Sequence, residues 1–421
     1  MPATQNSDPA ERAIVVQTGA RHNYAVPAAL EAAGRLEALY TDLAGTNGLG
    51  RVAASLKWLP LPANLKKPLG RLAGRLPPPA VAARTHTFDA VAARYEIATR
   101  QAPDMRGRIK ARQAFNAAWS EAMLARGFGE ATHIYTMMSG QILEGERFLQ
   151  KAREAGLEVV VDVTIALSAE HVITEQYATN PGWGDAPDTY LGAMGRPNPA
   201  YPKMLEIGSR FLCASQYVAD DLIENWGADP AKVRVEPYSV HPSWLELENR
   251  PQIGRILFPG SANLRKGIHH FARTAQLLGG GSDYEFRAVG DVATETRSNP
   301  EAAMIDFRGR IARPEMVQEY QAADIVVLPT LAEGSAGVTY EAMASGIPVI
   351  TTRESGSLIK HGENGLIVPG ADPQALAQAI ETLVKDRELR DRMAANARQS
   401  IAGISWGGYS DRLVRAIFDK N

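Results

Sequence analysis

Cys213 is the only cysteine in 421 residues, so no disulfide can form within the chain, and nothing marks an oxidising compartment. No stretch approaches the ~20 apolar residues of a membrane-crossing helix. The opening MPATQNSDPAER is polar and has no apolar signal core. The expectation is a cytoplasmic setting with, at most, peripheral contact at the inner face of a membrane. Charge of one sign is also missing. The 45 basic and 47 acidic residues leave −2, which argues against a general nucleic-acid binder. No Gly-x-Gly-x-x-Gly follows the first apolar strand, which disfavours a nicotinamide or flavin oxidoreductase, and no Gly-Lys-Ser/Thr loop marks an ATPase. An Asp-x-Asp pair is absent as well, so the sequence has no signature of a metal-held diphosphate.

What is present is ordinary globular material, 45% hydrophobic and 22% charged, in a chain long enough for two cores. Short β-branched runs alternate with helical spacing. Ala13–Gln17, His133–Met137, Leu157–Val163, the RILFP run, FRAVGD and ADIVVLP read as buried parallel strands of an α/β protein. Beyond Val240 the polar, proline-bounded PSWLELENRPQ marks a domain boundary. Charge is uneven between the halves. Residues 51–112 carry thirteen Lys or Arg against Asp89, Glu96 and Asp104, so 13 − 3 = +10. Within this stretch, 51–79 mixes Leu and Trp58 with cations. That composition suits contact with an anionic membrane or an acidic acceptor, and equally a solvated helical insertion.

The most informative stretch is Pro329–Val349, PTLAEGSAGVTYEAMASGIPV, which reads strand, loop, helix, strand. It sets Glu333 in the loop and Glu341 eight residues on, in the helix. In such units the loop beyond the strand's carboxyl end is where ligands sit, and the new helix offers unpaired N–H groups to an anion. A second unit, RILFPGSANLRKGIHHF, places Arg265 and Lys266 at a helix start, a cradle for a diphosphate.

The Glu-x7-Glu spacing followed by AMASGIPV resembles the signature of the retaining glycosyltransferases of family 4. That resemblance implies the GT-B fold, two Rossmann-like doubly wound domains facing a deep cleft. It places an acceptor domain at 1–240, a nucleotide-sugar donor domain at 241–403, and a last helix, 404–421, crossing back to the first domain. It implies that Glu333 holds hydroxyls of the donor sugar, that Glu341 binds the ribose, and that the backbone of Gly334, Ser335, Ala336, Gly337, Val338 and Thr339 takes the diphosphate. With Glu333, Arg265 and Lys266 form the expected catalytic group, Arg265 replacing the family's loop arginine, where Ser261 stands here. Gly19, Gly260 and Gly290 fall in loops expected to line the donor, and Gly309, Arg310 and Ile311 where the base is held. The family's N-domain histidine is not found. His22, Asp162 and His171 are the acceptor-side candidates, and Ser215 is expected to cap a helix.

The implied activity is transfer of a hexose-type sugar from a nucleotide-diphosphate donor, without metal or other cofactor. The acceptor would be a glycan, a lipid-linked molecule or a small molecule, in cell-surface polysaccharide or glycolipid synthesis. A non-catalytic two-domain sugar- or nucleotide-binding protein and a nucleotide-sugar epimerase of the same fold remain alternatives. Sugar, base and acceptor are not legible.

Overall fold

Strands that are buried on both faces need apolar side chains at every position, and the short β-branched runs supply them. In chain order these are β1 (Ala13–Val16), β2 (Leu36–Thr41), β3 (Thr85–Thr87), β4 (His133–Ser139), β5 (Ile142–Leu143), β6 (Glu158–Val163), β7 (Arg210–Cys213) and β8 (Val233–Val235). They continue with β9 (Arg255–Pro259), β10 (Glu285–Val289), β11 (Ile305–Gly309), β12 (Ile325–Leu328), β13 (Val349–Thr351) and β14 (Gly365–Ile367). The computed structural model describes residues 11–56, 70, 73–139, 142–187, 189–279, 283–404 and 406–419. Most of the basic 51–79 stretch therefore lies outside the described residues, apart from the helix Gly48–Leu56 and a few positions after it.

Two sheets form. The first runs β3-β2-β1-β4-β6-β7-β8 with β5 antiparallel against β4, and the second runs β11-β10-β9-β12-β13-β14, all parallel. Side chains alternate between the faces, as strand periodicity requires. In β1, Ile14 and Val16 enter one core cluster while Ala13 and Val15 enter another. In β12, Ile325 and Val327 face one side and Val326 the other. The strand order reverses between β1 and β4 in the first sheet and between β9 and β12 in the second. At such points the loops beyond the carboxyl ends diverge and leave a crevice.

Local signals place the helices. Asp372 accepts from Ala375 N–H at 2.9 Å and Pro373 opens the helix Pro373–Lys385, whose Leu376, Ile380 and Leu383 are buried. The last helix, Trp406–Phe418, buries Tyr409, Leu413, Ile417 and Phe418 in the first domain's core. Its C-terminal carbonyls at Ala416 and Ile417 accept from Arg210 Nη1 at 2.9 and 2.7 Å.

One element departs from a simple boundary near 240. The helix Ala169–Thr179, in the long β6-to-β7 connection, and the turn after it lie against the second domain. Trp183, 2% exposed, belongs to the second domain's core. Gln176 Oε1 meets His269 Nε2 at 3.1 Å, and Asn180 Oδ1 accepts from Arg273 at 3.1 Å. Both partners stand on the helix Ile268–Leu278.

His269 and its neighbour His270 are buried in this contact. Burial, followed by the charges of His270 and Arg273, lowers His269 to about 2, and burial with Arg273 lowers His270 to about 4. A base whose folded value lies below its free value of 6.5 stabilises the fold fully above pH 6.5 and loses that contribution as pH falls toward the folded value. Buried carboxyls such as Asp162 and Glu144, raised chiefly by burial, act in the opposite sense, so the histidines are isolated by comparison with a variant. Relative to His269→Gln/His270→Asn, the native chain should lose up to ~1.4 kcal/mol per pH unit per histidine below pH 6.5, read from urea unfolding at pH 7, 6 and 5. Parallel profiles would contradict it.

Candidate functional site

Because β9 and β12 are neighbours in the second sheet, the loops beyond their carboxyl ends meet, although Arg265 and Glu333 are far apart in sequence. Asn263 shapes the first loop, its Oδ1 accepting from Lys266 N–H at 3.1 Å across the turn Leu264–Lys266. Gly267 closes that turn at φ +76°, where a Cβ would stand 1.9 Å from Pro329 O, so only glycine lets the two loops touch. Backbone bonds then lock them. Leu331 N–H and Thr330 Oγ1 both donate to Arg265 O, at 2.8 and 3.0 Å, and Arg265 Nη1 donates to Ala332 O at 2.7 Å.

The result is a three-charge cluster. Glu333 Oε2 lies 2.8 Å from Arg265 Nη1, and its Oε1 lies 2.8 Å from Lys266 Nζ, with all three side chains mostly buried. Burial alone would raise the Glu333 carboxyl, but the Lys266 ammonium and Arg265 guanidinium outweigh it and hold the group below its usual range. Two cations and one carboxylate leave 2 − 1 = +1 beside the helix Gly337–Ala344. Ala336, at that helix's N-cap, offers no side-chain bond, and its own N–H donates to Ser355 O at 3.0 Å. A Cβ at Gly337 would meet nothing within 4 Å, so this turn opens to free space.

Glu341 goes elsewhere. It accepts from Tyr320 Oη at 3.1 Å, and burial raises its carboxyl against the pull of that phenol, Arg313 and Trp244. The two glutamates thus shift in opposite directions. Gly260 and Ser261 follow β9, and Gly290 N–H donates to Gly309 O at 3.0 Å, joining the loop after β10 to the end of β11. Arg310 is mostly exposed and pairs with Asp291, while Ile311 packs on the core. Ser335 Oγ and Tyr340 Oη are 2.6 Å apart, and Thr339 Oγ1 donates to Ala336 O at 2.6 Å, which leaves Val338 as a partly buried packing residue.

The first domain reaches this loop directly. Ser215 Oγ accepts from Val218 N–H at 3.3 Å as the expected cap, and it also donates to Gly334 O at 2.5 Å. A Cβ on Gly334 would stand 1.7 Å from Thr164 O, so the domains close on a bare backbone. Two residues before Thr164, buried Asp162 accepts from Tyr135 Oη at 2.6 Å and faces His22, whose ring centroid is 4.7 Å from that of Tyr238. Burial lowers His22 more than Asp162 raises it. His22, Asn23 and Tyr24 have φ of +47°, +52° and +61°, three consecutive left-handed residues held in place by their surroundings. His171, in contrast, is exposed on the helix Ala169–Thr179, and the structure does not bring it to this cluster.

Gly19 sits in the loop after β1, but its N–H is engaged by Asp42 Oδ1 at 2.7 Å, and Asp42 in turn pairs with Arg75 at 2.8 Å. Arg75 is thus one cation that faces this loop. Nothing in the sequence singled it out from the other twelve basic residues of 51–112. Tyr135, Tyr320 and the Gly334-bonding role of Ser215 were equally unmarked, because each acts through a partner distant in sequence. Among the described residues, no group of three or more His, Cys, Asp or Glu is placed to hold a metal ion.

Residues 254–386 match the model of a family described as Glycosyl transferases group 1. A D-inositol 3-phosphate glycosyltransferase of Paenarthrobacter aurescens (strain TC1) is 27% identical over 227 residues, 48% of this chain and 56% of that protein. One from Corynebacterium glutamicum (strain R) is 31% identical over 227 residues, 47% of this chain and 54% of that protein. The chain spans about half the length of these curated relatives. The fold is similar over nearly all of both chains to Anabaena HepE in complex with UDP, at a TM-score of 0.58, 15% identity and coverage of 96% and 98%. It is also similar to the sucrose-phosphate synthase of Thermosynechococcus elongatus, at 0.59, 16%, 96% and 98%. The GT-B architecture holds, and the match to the group 1 family lies within the second domain.

Closure on Gly334 is open to test. Gly334→Ala should force the domains apart, seen as a larger radius of gyration in solution scattering, whereas Gly337→Ala, facing open space at a helix start, should leave scattering unchanged and should not lower the melting temperature. The opposite ranking would contradict this geometry.

Proposed function

We propose that this chain, a GT-B protein carrying a group 1 glycosyltransferase domain, moves a hexose-type sugar from a nucleoside diphosphate to an acceptor with retention at the anomeric carbon. The observation that carries the reading is the pairing of Arg265 and Lys266 with Glu333 beside the open first turn of Gly337–Ala344. The diphosphate is the leaving group, and its growing charge is what two cations and a helix N-terminus stabilise when they are already in place. On donor entry the phosphates take over the cations, and Glu333, held anionic, accepts hydrogen bonds from sugar hydroxyls. The cations supply what a metal would, so turnover should survive chelation. Retention, the hexose class and a role in cell-surface polysaccharide or glycolipid synthesis rest on the family resemblance.

The curated relatives are described as D-inositol 3-phosphate glycosyltransferases, which makes a phosphorylated polyol the first acceptor to try beside glycans and lipid-linked sugars. UDP in the HepE complex makes UDP-sugars the first donors. A non-catalytic nucleotide-binding protein would keep the cleft without turning over. Lys266→Ala should cut turnover at least ~100-fold, the scale of losing one charge-stabilising group, while leaving a folded chain. Titration should show UDP or GDP binding without Mg²⁺. Near-normal turnover of the variant would sink the assignment.

Contact of 51–79 with an anionic membrane falls mostly outside the described residues, and the helix Gly48–Leu56 overlaps only its start. On Gly48–Leu56, Leu49 and Val52 are about half exposed and lie on one face with Leu56, beside Arg51. No helix among the described residues is long and apolar enough to cross a membrane. Leu49→Glu/Val52→Glu should therefore abolish co-sedimentation with phosphatidylglycerol vesicles. Binding equal to that of the native chain would defeat peripheral contact through this face.

A further inference from the structure

The helix Ala169–Thr179 belongs to the first domain by sequence, since it lies between two strands of the first sheet. Its bonds run both ways: buried Glu170 accepts from Tyr190 N–H of the first domain at 3.1 Å, while other positions of the helix face the second. Ala169 and Ile173 bury against Ala332, the residue before Glu333. Tyr177 packs on the second core, and its phenol reaches the Leu264 backbone, at the start of the turn that carries Arg265 and Lys266. Gln176 and Asn180 engage His269 and Arg273 at 3.1 Å each. Beyond the helix, Asn299 Nδ2 donates to Gly182 O at 3.0 Å and Thr296 Oγ1 to Trp183 O at 2.9 Å, while the Trp183 indole fills a place among second-domain residues.

We propose that residues 169–184 are a positioning element of the donor site, rooted in the first domain, that steadies the Arg265–Lys266 turn and the Glu333 loop from behind. This rests on the reading of Arg265 and Lys266 as the diphosphate's cations. Arg265, Lys266 and Glu333 are held at 2.8 Å on two separate loops, so support behind those loops decides how closely the charges hold their geometry, and ångström-scale displacement of charged groups is costly in rate. The support arrives at two points, Ala332 for the carboxylate loop and Leu264 for the cation turn. Trp183 is the anchor that keeps the segment docked. The exposed His171 rides on the same helix, so an acceptor touching that surface would contact an element that also braces the donor charges.

Hydrogen exchange on the full chain, with UDP and GDP as probes, tests this. Nucleotide should slow exchange in 169–184 together with 264–278, while Glu146–Glu154, in the same domain by sequence, stays unchanged. Trp183→Ala should remove the added protection in 169–184 and weaken nucleotide binding about tenfold. It should also raise the donor KM by a similar factor while the acceptor KM moves less than about twofold, a split that a merely structural role would not produce. Trp183→Phe should restore most of the loss. Should Trp183→Ala fail to fold, Gln176→Leu, which removes one bond to His269, carries the same readouts at about two- to threefold. Protection of 264–278 without any change in 169–184 overturns the positioning role and leaves the transferase reading intact. Failure of UDP and GDP to bind anywhere overturns both.

Discussion

The pairing of Glu333 with Arg265 and Lys266 is the interaction on which the rest of the structure depends. Two cations held side by side repel each other, and a lone carboxylate in a mostly buried loop is costly to keep ionised. Each resolves the other's difficulty at 2.8 Å. The cluster needs the β9 and β12 loops in contact, which needs Gly267 against Pro329, and that in turn needs two parallel strands adjacent in the sheet. A change of strand order would part Glu333 from both cations.

The second constraint is closure over this cluster by bare backbone. Gly334 presents no side chain to Thr164 O, and its carbonyl receives the Ser215 hydroxyl, so the first domain reads the position of the loop that carries Glu333 without touching the carboxylate. From the same edge, β6 delivers Asp162 to His22 and Tyr135. The strained run His22–Tyr24 is held by stacking on Tyr238 and by the burial of Tyr24. Strain of this kind persists only where the surroundings over-determine it, and here they combine the β1 loop, the end of β6 and the segment after β8.

The second domain was the more legible half. Glu333, Arg265 and Lys266 could be named because each sits within a few residues of a strand end and a helix start, where spacing alone predicts position. The cap at Asp372 and the apolar face of Pro373–Lys385 were readable for the same reason. Glu341 shows the limit. Spacing placed it on the right helix, but its partner Tyr320 comes from another helix, and no local pattern says which way a side chain will turn. Gly19 is similar: its loop was foreseeable, and the capture of its N–H by Asp42 was not.

The sequence by itself determined the strands, the helix starts with their caps and glycines, the placement of two cations and a carboxylate in strand-end loops, and the family signature. These follow from interactions within a few residues, and the chain's own order records them. Only the tertiary structure decided that Glu333 bridges both cations while Glu341 leaves them, that Asp162 and His22 meet while His171 stays outside, and that Trp183 crosses to the other domain's core. The reason is physical. Each of these outcomes depends on which buried surfaces come together over long chain separations, where packing and desolvation choose the partner and spacing carries no information about it.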